Sequence, residues 1–236
     1  MSDAALPSKP DPRPTSVAIE ASVQGRSARW WAAVAIATLL FLPLSWLLAR
    51  LIWLPFYFGL FFFLVAGLLV GAATFRIARP ARPLSRSRLA AGVIIAALCG
   101  SVATILWEYR GFAAGVAAEN RFAEAKNSAI RAGGKVDAIK AEAADEFRRI
   151  LRTKHPPGGP LGYIRWAISS GKMDLEVRGS KEVIAIGHQG LRWLLRTGAE
   201  AVLLALGLWL SFESLRSPTP VSNILAPGEE AEELEE

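Results

Sequence analysis

The sequence predicts an all-α integral membrane protein: four transmembrane helices, with a small, mainly helical extramembrane segment between helices three and four. Three observations lead there. Apolar residues gather in blocks close to the ~20 residues that a helix needs to cross a hydrocarbon core. Five arginines and no acid fill residues 76–88, between the second and third blocks. One long hydrophilic stretch, residues 110–190, separates the third block from the fourth.

The totals agree. An apolar content of 52% could suit a soluble domain, but its concentration in blocks does not. A net charge of +6 and a pI near 9.8 could mark a nucleic-acid binder. Juxtamembrane arginines produce the same balance, so membrane lipid rather than nucleic acid is the expected partner. The single cysteine, Cys99, allows no intramolecular disulfide and no thiolate metal cluster.

In chain order, residues 1–28 carry four prolines, serines and mixed charge without apolar periodicity, and read as a disordered tail. A signal peptide is not expected, because the polar lead is long and no small-x-small cleavage site follows. Residues 29–109 hold three transmembrane helices, at about 29–49, 52–75 and 89–109. Trp30, Trp31 and Trp46 stand near the ends of the first, where amphipathic rings favour the headgroup zone, and Pro43 should kink it. A very short connection then makes helices one and two a tight hairpin.

Helix two carries Gly67 and Gly71, and helix three carries Gly92, Ala96, Gly100 and Thr104 at four-residue spacing. Small residues in such stripes let a neighbouring backbone approach closely when packing, not water expulsion, drives association. Because a short loop joins the two helices, the expected contact is between these two stripes. The bland alternative is that small residues abound in transmembrane helices.

Within 110–190, residues 113–132 are Ala-rich and helical in composition, and two glycines interrupt them. Val136, Ile139, Ala143, Phe147 and Ile150 follow helical spacing over 135–154, up to a His-Pro-Pro-Gly-Gly-Pro stop. Residues 161–170 read as a short helix with an aromatic-apolar face around Trp166, either flat on the membrane or a lid on the preceding helices. Residues 172–186 alternate weakly and suggest a small hairpin.

Helix four spans about 191–213, and its apolar run proper, 201–212, is too short to cross. Reaching the necessary length draws Arg196 and Glu200 inside, with Trp193 and Trp209 marking the two interfaces. A charge at a helix centre costs about 2.5–3.5 kcal/mol, whereas each large apolar residue returns about 0.3–0.6. Glu200 must therefore be paired, protonated or turned to a polar interior, and Arg196, one turn away, is the expected partner of an intramembrane pair. A structural anchor and a role in ion or proton movement both remain open. The tail, 214–236, contains prolines, ends in an acidic run and is expected to be disordered.

Arg76, Arg79, Arg82, Arg86 and Arg88 set the topology, since basic clusters in short loops stay cytoplasmic. Both termini are then cytoplasmic and 110–190 lies outside, although that segment is itself basic; long loops cross largely regardless of charge. Glu108 reads as solvated at the outer interface, Cys99 as a small buried residue, and Ser101 and Thr104 as bonding back to their own helix. His155 and His188 are isolated and show no ligand spacing. No Walker loop, zincin, nucleophile elbow or dinucleotide motif occurs, so no catalytic, cofactor or metal site is expected. The expected role is a non-catalytic structural or interaction component of a membrane assembly, with other membrane subunits or a second copy as partners. A small transporter or channel subunit using Glu200 and Arg196 is the alternative. Composition suits a bacterial inner membrane.

Overall fold

Among the described residues, seven α-helices and one two-stranded hairpin follow one another, and four of the helices are long and apolar enough to cross a membrane. The structure, a computed structural model, describes residues 16–51, 56–116, 122–131, 133 and 135–216. Helix α1 is Ser16–Leu51, α2 Phe56–Ala78, α3 Arg86–Gly115 and α7 Leu191–Phe212. Between α3 and α7 lie α4 (Ala123–Arg131), α5 (Val136–Lys154), α6 (Gly159–Ser169), β1 (Lys172–Val177) and β2 (Ser180–Ala185).

Three of the long helices exceed their expected bounds, α2 by running on from 75 to Ala78. α1 begins at Ser16, inside the stretch expected to be a disordered tail, because the last proline is Pro14 and a helix-compatible run with Val17, Ile19 and Val23 follows. α3 continues past position 109 to Gly115, since Phe112 and Ala113 find a buried environment there and nothing in the sequence stops the helix. The connection expected at Arg50 and Leu51 is instead the last turn of α1, while the expected start of helix two at 52–55, the first fifteen residues and the acidic tail from 217 lie outside the described residues. Glu213–Arg216, which includes the first residues of the expected tail, forms a 3-10 turn.

The four long helices form a bundle in which α1 packs along α2 and α3, and α7 packs along α2 and α3. α2 and α3 thus occupy opposite corners. This corrects the expected pairing of their glycine stripes. Gly67 of α2 meets Gly207 of α7: a methyl group added to Gly67 would run into the Leu204 carbonyl, and one on Gly207 would stand 2.5 Å from the Leu64 carbonyl oxygen. Gly71 faces Ser211 of α7. On α3, Gly92 leaves a slot for the Trp30 ring and Gly100 one for Phe41, both from α1, while Leu204 of α7 also approaches Gly100. Ser45 of α1 donates to the Gly100 carbonyl at 3.1 Å. A stripe of small residues calls for a close neighbour without specifying which, and the basic connection is long enough to cross the bundle end.

That connection runs through a 3-10 turn at Arg79–Ala81 to Ser85, which caps α3 by accepting from the Arg88 amide at 3.4 Å. It holds two other chain ends in place. Leu84 donates its amide to the Leu215 carbonyl at 3.1 Å, Arg82 donates to Ser214 Oγ at 3.0 Å, and Trp30 Nε1 donates to the Arg88 carbonyl at 3.2 Å. Trp30 also meets Phe212 edge to face, with centroids 5.4 Å apart. The early part of α1, the basic connection and the end of α7 therefore share one end of the bundle. Trp30 is buried there, not at the expected lipid interface, whereas Trp31 is exposed.

The opposite end carries a cap. α5 buries Ile139, Ala143, Phe147 and Ile150 on one face, as their spacing predicts, together with Leu151, while Val136 is only half-buried. α6 inserts Tyr163 and Trp166, both fully buried, which makes it part of the cap's core and leaves Leu161 and Ile168 facing out. Phe112, Phe147, Tyr163 and Trp166 form one aromatic cluster, with centroids 5.3–6.0 Å apart. β1 alternates exposed and buried residues, placing Met173, Leu175 and Val177 on this core. The turn of the hairpin, Arg178-Gly179, has positive φ at both positions, which suits a two-residue turn matched to strand twist. Arg178 spans from it to Glu142 of α5 with two hydrogen bonds of 2.6 and 2.8 Å.

Candidate functional site

The junction of bundle and cap is built around Glu108. Its position continues the series Gly92, Ala96, Gly100, Thr104 by one more turn, so α3 delivers it to the buried face. α7 runs alongside and brings Trp193, Arg196 and Glu200, three and four residues apart, onto the facing stripe. α6 contributes Tyr163 from the cap.

Glu108 accepts from Tyr163 Oη at 3.0 Å, from Trp193 Nε1 at 3.4 Å, and from Arg196 Nη2 at 3.0 Å to each carboxylate oxygen. The side chains of Arg196 and Glu108 are 7% and 12% exposed, so this pair is largely desolvated. Burial first, and then the carboxylate beside it, push the Tyr163 phenol far above its ordinary range, so its hydroxyl stays a donor. Arg196 sits between two acids. Its Nε lies 3.3 Å from Glu200 Oε1, close enough for attraction but not aligned for a hydrogen bond, and that nitrogen is buried without a hydrogen-bond partner among the described residues. Ser101 Oγ and Thr197 Oγ1 are buried and unpartnered in the same sense.

The Arg196 and Glu200 pair expected from the sequence is thus present, but it is one half of a triad in which Arg196 stands between Glu108 and Glu200. Glu108 was expected to be solvated; the four-residue spacing is the signal that it would turn inward, and the adjacent Trp107 and Tyr109 obscured it. Trp193 is likewise a buried donor, not an interface marker. Thr104 bonds back to the Gly100 carbonyl at 2.9 Å as expected, whereas Ser101 does not. Cys99 is exposed on the outer surface of the bundle, contrary to its expected burial, because it lies beside Leu98, off the packed stripe. The five topology arginines stand at the far end of the bundle.

A cavity of about 680 Å³ opens beside the triad, between the ends of α1 and α3 and the connection from β2 to α7. Its wall includes Glu108, Arg196, Arg50, Arg110 and His188, with Trp46 and Trp107. His188 is held below the ordinary histidine range by burial, then by the cations of Arg196 and Arg192. Among the described residues, no group of three or more His, Cys, Asp or Glu could hold a metal ion.

Fold and site together define a class: an apolar four-helix bundle keyed to a small α-and-β cap by a buried carboxylate–guanidinium–carboxylate triad. No family model matches this chain, and neither the curated proteins nor the solved structures provide a match.

Proposed function

We propose that this chain is an integral protein of a bacterial inner membrane, both termini cytoplasmic, that acts as a non-catalytic structural or interaction component of a membrane assembly. Lipid surrounds its bundle, and other membrane subunits or a second copy bind its cap; nucleic acid is not a partner. One observation carries the proposal. Glu108 and Arg196 are spent on one another, with Glu108 accepting from α6 and α7 at once, which suits a clamp that holds the cap in fixed register on the bundle. A cap so held presents Ile130, Leu161 and Val183, all well exposed, as a surface for partners. The exposed leucines, isoleucines and phenylalanines around the bundle suit lipid contact.

Purification in mild detergent tests it. A larger or homo-oligomeric particle, with crosslinks from the cap to its partners, is expected; a monomer without partners would sink the proposal. Sidedness follows from the basic connection. A cysteine near position 134 in Cys99-free protein should label from outside intact cells, and labelling only after the membrane is opened would reverse the orientation.

A second reading, a small transporter or channel subunit, draws on one specific observation: Glu200 makes no hydrogen bond among the described residues, and Arg196 Nε beside it is buried without a hydrogen-bond partner there, as is Thr197 Oγ1 on the same helix. Intramembrane acids in such surroundings serve ion and proton paths. Flux in reconstituted vesicles, lost in Glu200→Gln with assembly intact, would favour it.

A further inference from the structure

We infer that the cavity beside the triad is a binding site for a phosphate group, carried on the headgroup of an anionic phospholipid. Its charge balance points there. Among the described residues three arginines and one acid line it, and that acid, Glu108, is already engaged by Arg196. Among the described residues Arg50 and Arg110 are left in excess, and neither has a carboxylate partner there. Each is instead laid over an indole, Arg50 over Trp46 at 5.4 Å and Arg110 over Trp107 at 5.3 Å. Stacking of this kind restrains a guanidinium while leaving its N–H edge for an oxyanion, and the planar fork matches phosphate oxygens two at a time. At about 680 Å³ the cavity has room for a headgroup.

The surroundings favour lipid as the carrier. The cavity lies at the ends of two apolar helices, and its tryptophan wall continues onto the exposed Leu42, Leu47 and Leu106, where acyl chains would run. The inference rests on the bundle being in a membrane, but not on the chain having protein partners.

Full-length protein reconstituted in nanodiscs of phosphatidylcholine and phosphatidylglycerol, then released into detergent, is read by native mass spectrometry. Retained phosphatidylglycerol should exceed phosphatidylcholine. Arg50→Gln with Arg110→Gln should lower that retention about tenfold or more, the loss expected on removing hydrogen bonds to a charged group. Arg76→Gln with Arg79→Gln, at the other end of the bundle, should leave it unchanged. Inorganic phosphate titrated into lipid-free protein forms the second arm. A rise in melting temperature that the Arg50/Arg110 variant lacks keeps the site and assigns it to a soluble phosphate. Equal retention in the Arg50/Arg110 variant, or no preference for either phosphatidylglycerol or phosphate in the wild type, overturns the inference. The variants must melt like wild type without lipid; if the double variant does not, each single substitution is judged by the same criterion. The same spectra report stoichiometry, so a lipid-loaded monomer would keep this site and defeat the assembly proposal.

Discussion

Nη2 of Arg196 lies 3.0 Å from both carboxylate oxygens of Glu108, joining α7 to α3 where the bundle meets the cap. Removing Glu108 leaves Arg196 only Glu200, which is not aligned to accept from it, and losing the hydrogen-bonded member of a buried pair costs about 3–5 kcal/mol. Glu108→Ala should therefore lower the unfolding free energy in detergent by roughly that amount, because it also strands the donors of Tyr163 and Trp193. Glu108→Gln keeps an acceptor for both and should cost less. Melting within error of wild type for Glu108→Ala would mean that the triad does not fasten the cap.

The contact between Gly67 and Gly207 yields a prediction of opposite sign for different glycines. Gly67→Ala and Gly207→Ala each drive a methyl group into backbone across the α2 and α7 interface, so both should destabilise the bundle. Gly111→Ala meets nothing within 4 Å and sits within α3, so it should be neutral or stabilising by up to ~1 kcal/mol. Disulfide crosslinking of cysteines at 67 and 207 should be efficient, and at 67 and 96 poor. Efficient linkage of 67 to 96 would overturn the arrangement of the four helices.

The long helices were legible because twenty-residue apolar runs have few other uses, and the amphipathic spacing of Ile139, Ala143 and Phe147 located α5 and its buried face. Pairing was not legible. Gly67 and Gly92 both announce a close neighbour, yet only the bulk of Trp30 and the matching Gly207 decide which neighbour comes. Arg196 and Glu200 were found because charge is conspicuous in an apolar run. Glu108 was missed because it stands where that run ends, and the helix carries on beyond it into the cap. Local composition marks where lipid could stop, but not where α3 stops.

Glu200 offers a contrast with Glu108. It is attached to Arg196 through a single 3.3 Å approach and no hydrogen bond among the described residues. Glu200→Gln removes one of two acids around Arg196 and leaves the doubly hydrogen-bonded one in place, so its stability cost should be well below that of Glu108→Ala. Comparison of the two melting curves checks this. A Glu200→Gln variant as unstable as Glu108→Ala would make Glu200 the principal anchor of Arg196.

Acid should weaken the cap in two separate windows. His155, at the end of α5, is held below its ordinary pKa of 6.5 by burial, then by Lys154 and Arg165; His188 is held below it by burial, then by Arg196 and Arg192, against a smaller opposing pull from Glu108. Below pH 6.5 the unfolded chain takes up protons on both histidines that the folded cap resists, so stability falls as pH falls toward their folded values. Glu142 and Glu146 behave differently. Arg178 and Arg149, through their hydrogen bonds, hold these carboxyls below 4.5, so their contribution is complete above that value and is lost only as pH drops under it. Melting of the cap followed by tryptophan fluorescence should therefore decline from neutral pH to about pH 5, before Glu142 and Glu146 are protonated. His155→Gln with His188→Gln should abolish this first decline and keep the second. A decline that persists in the double variant would assign the sensitivity to other groups.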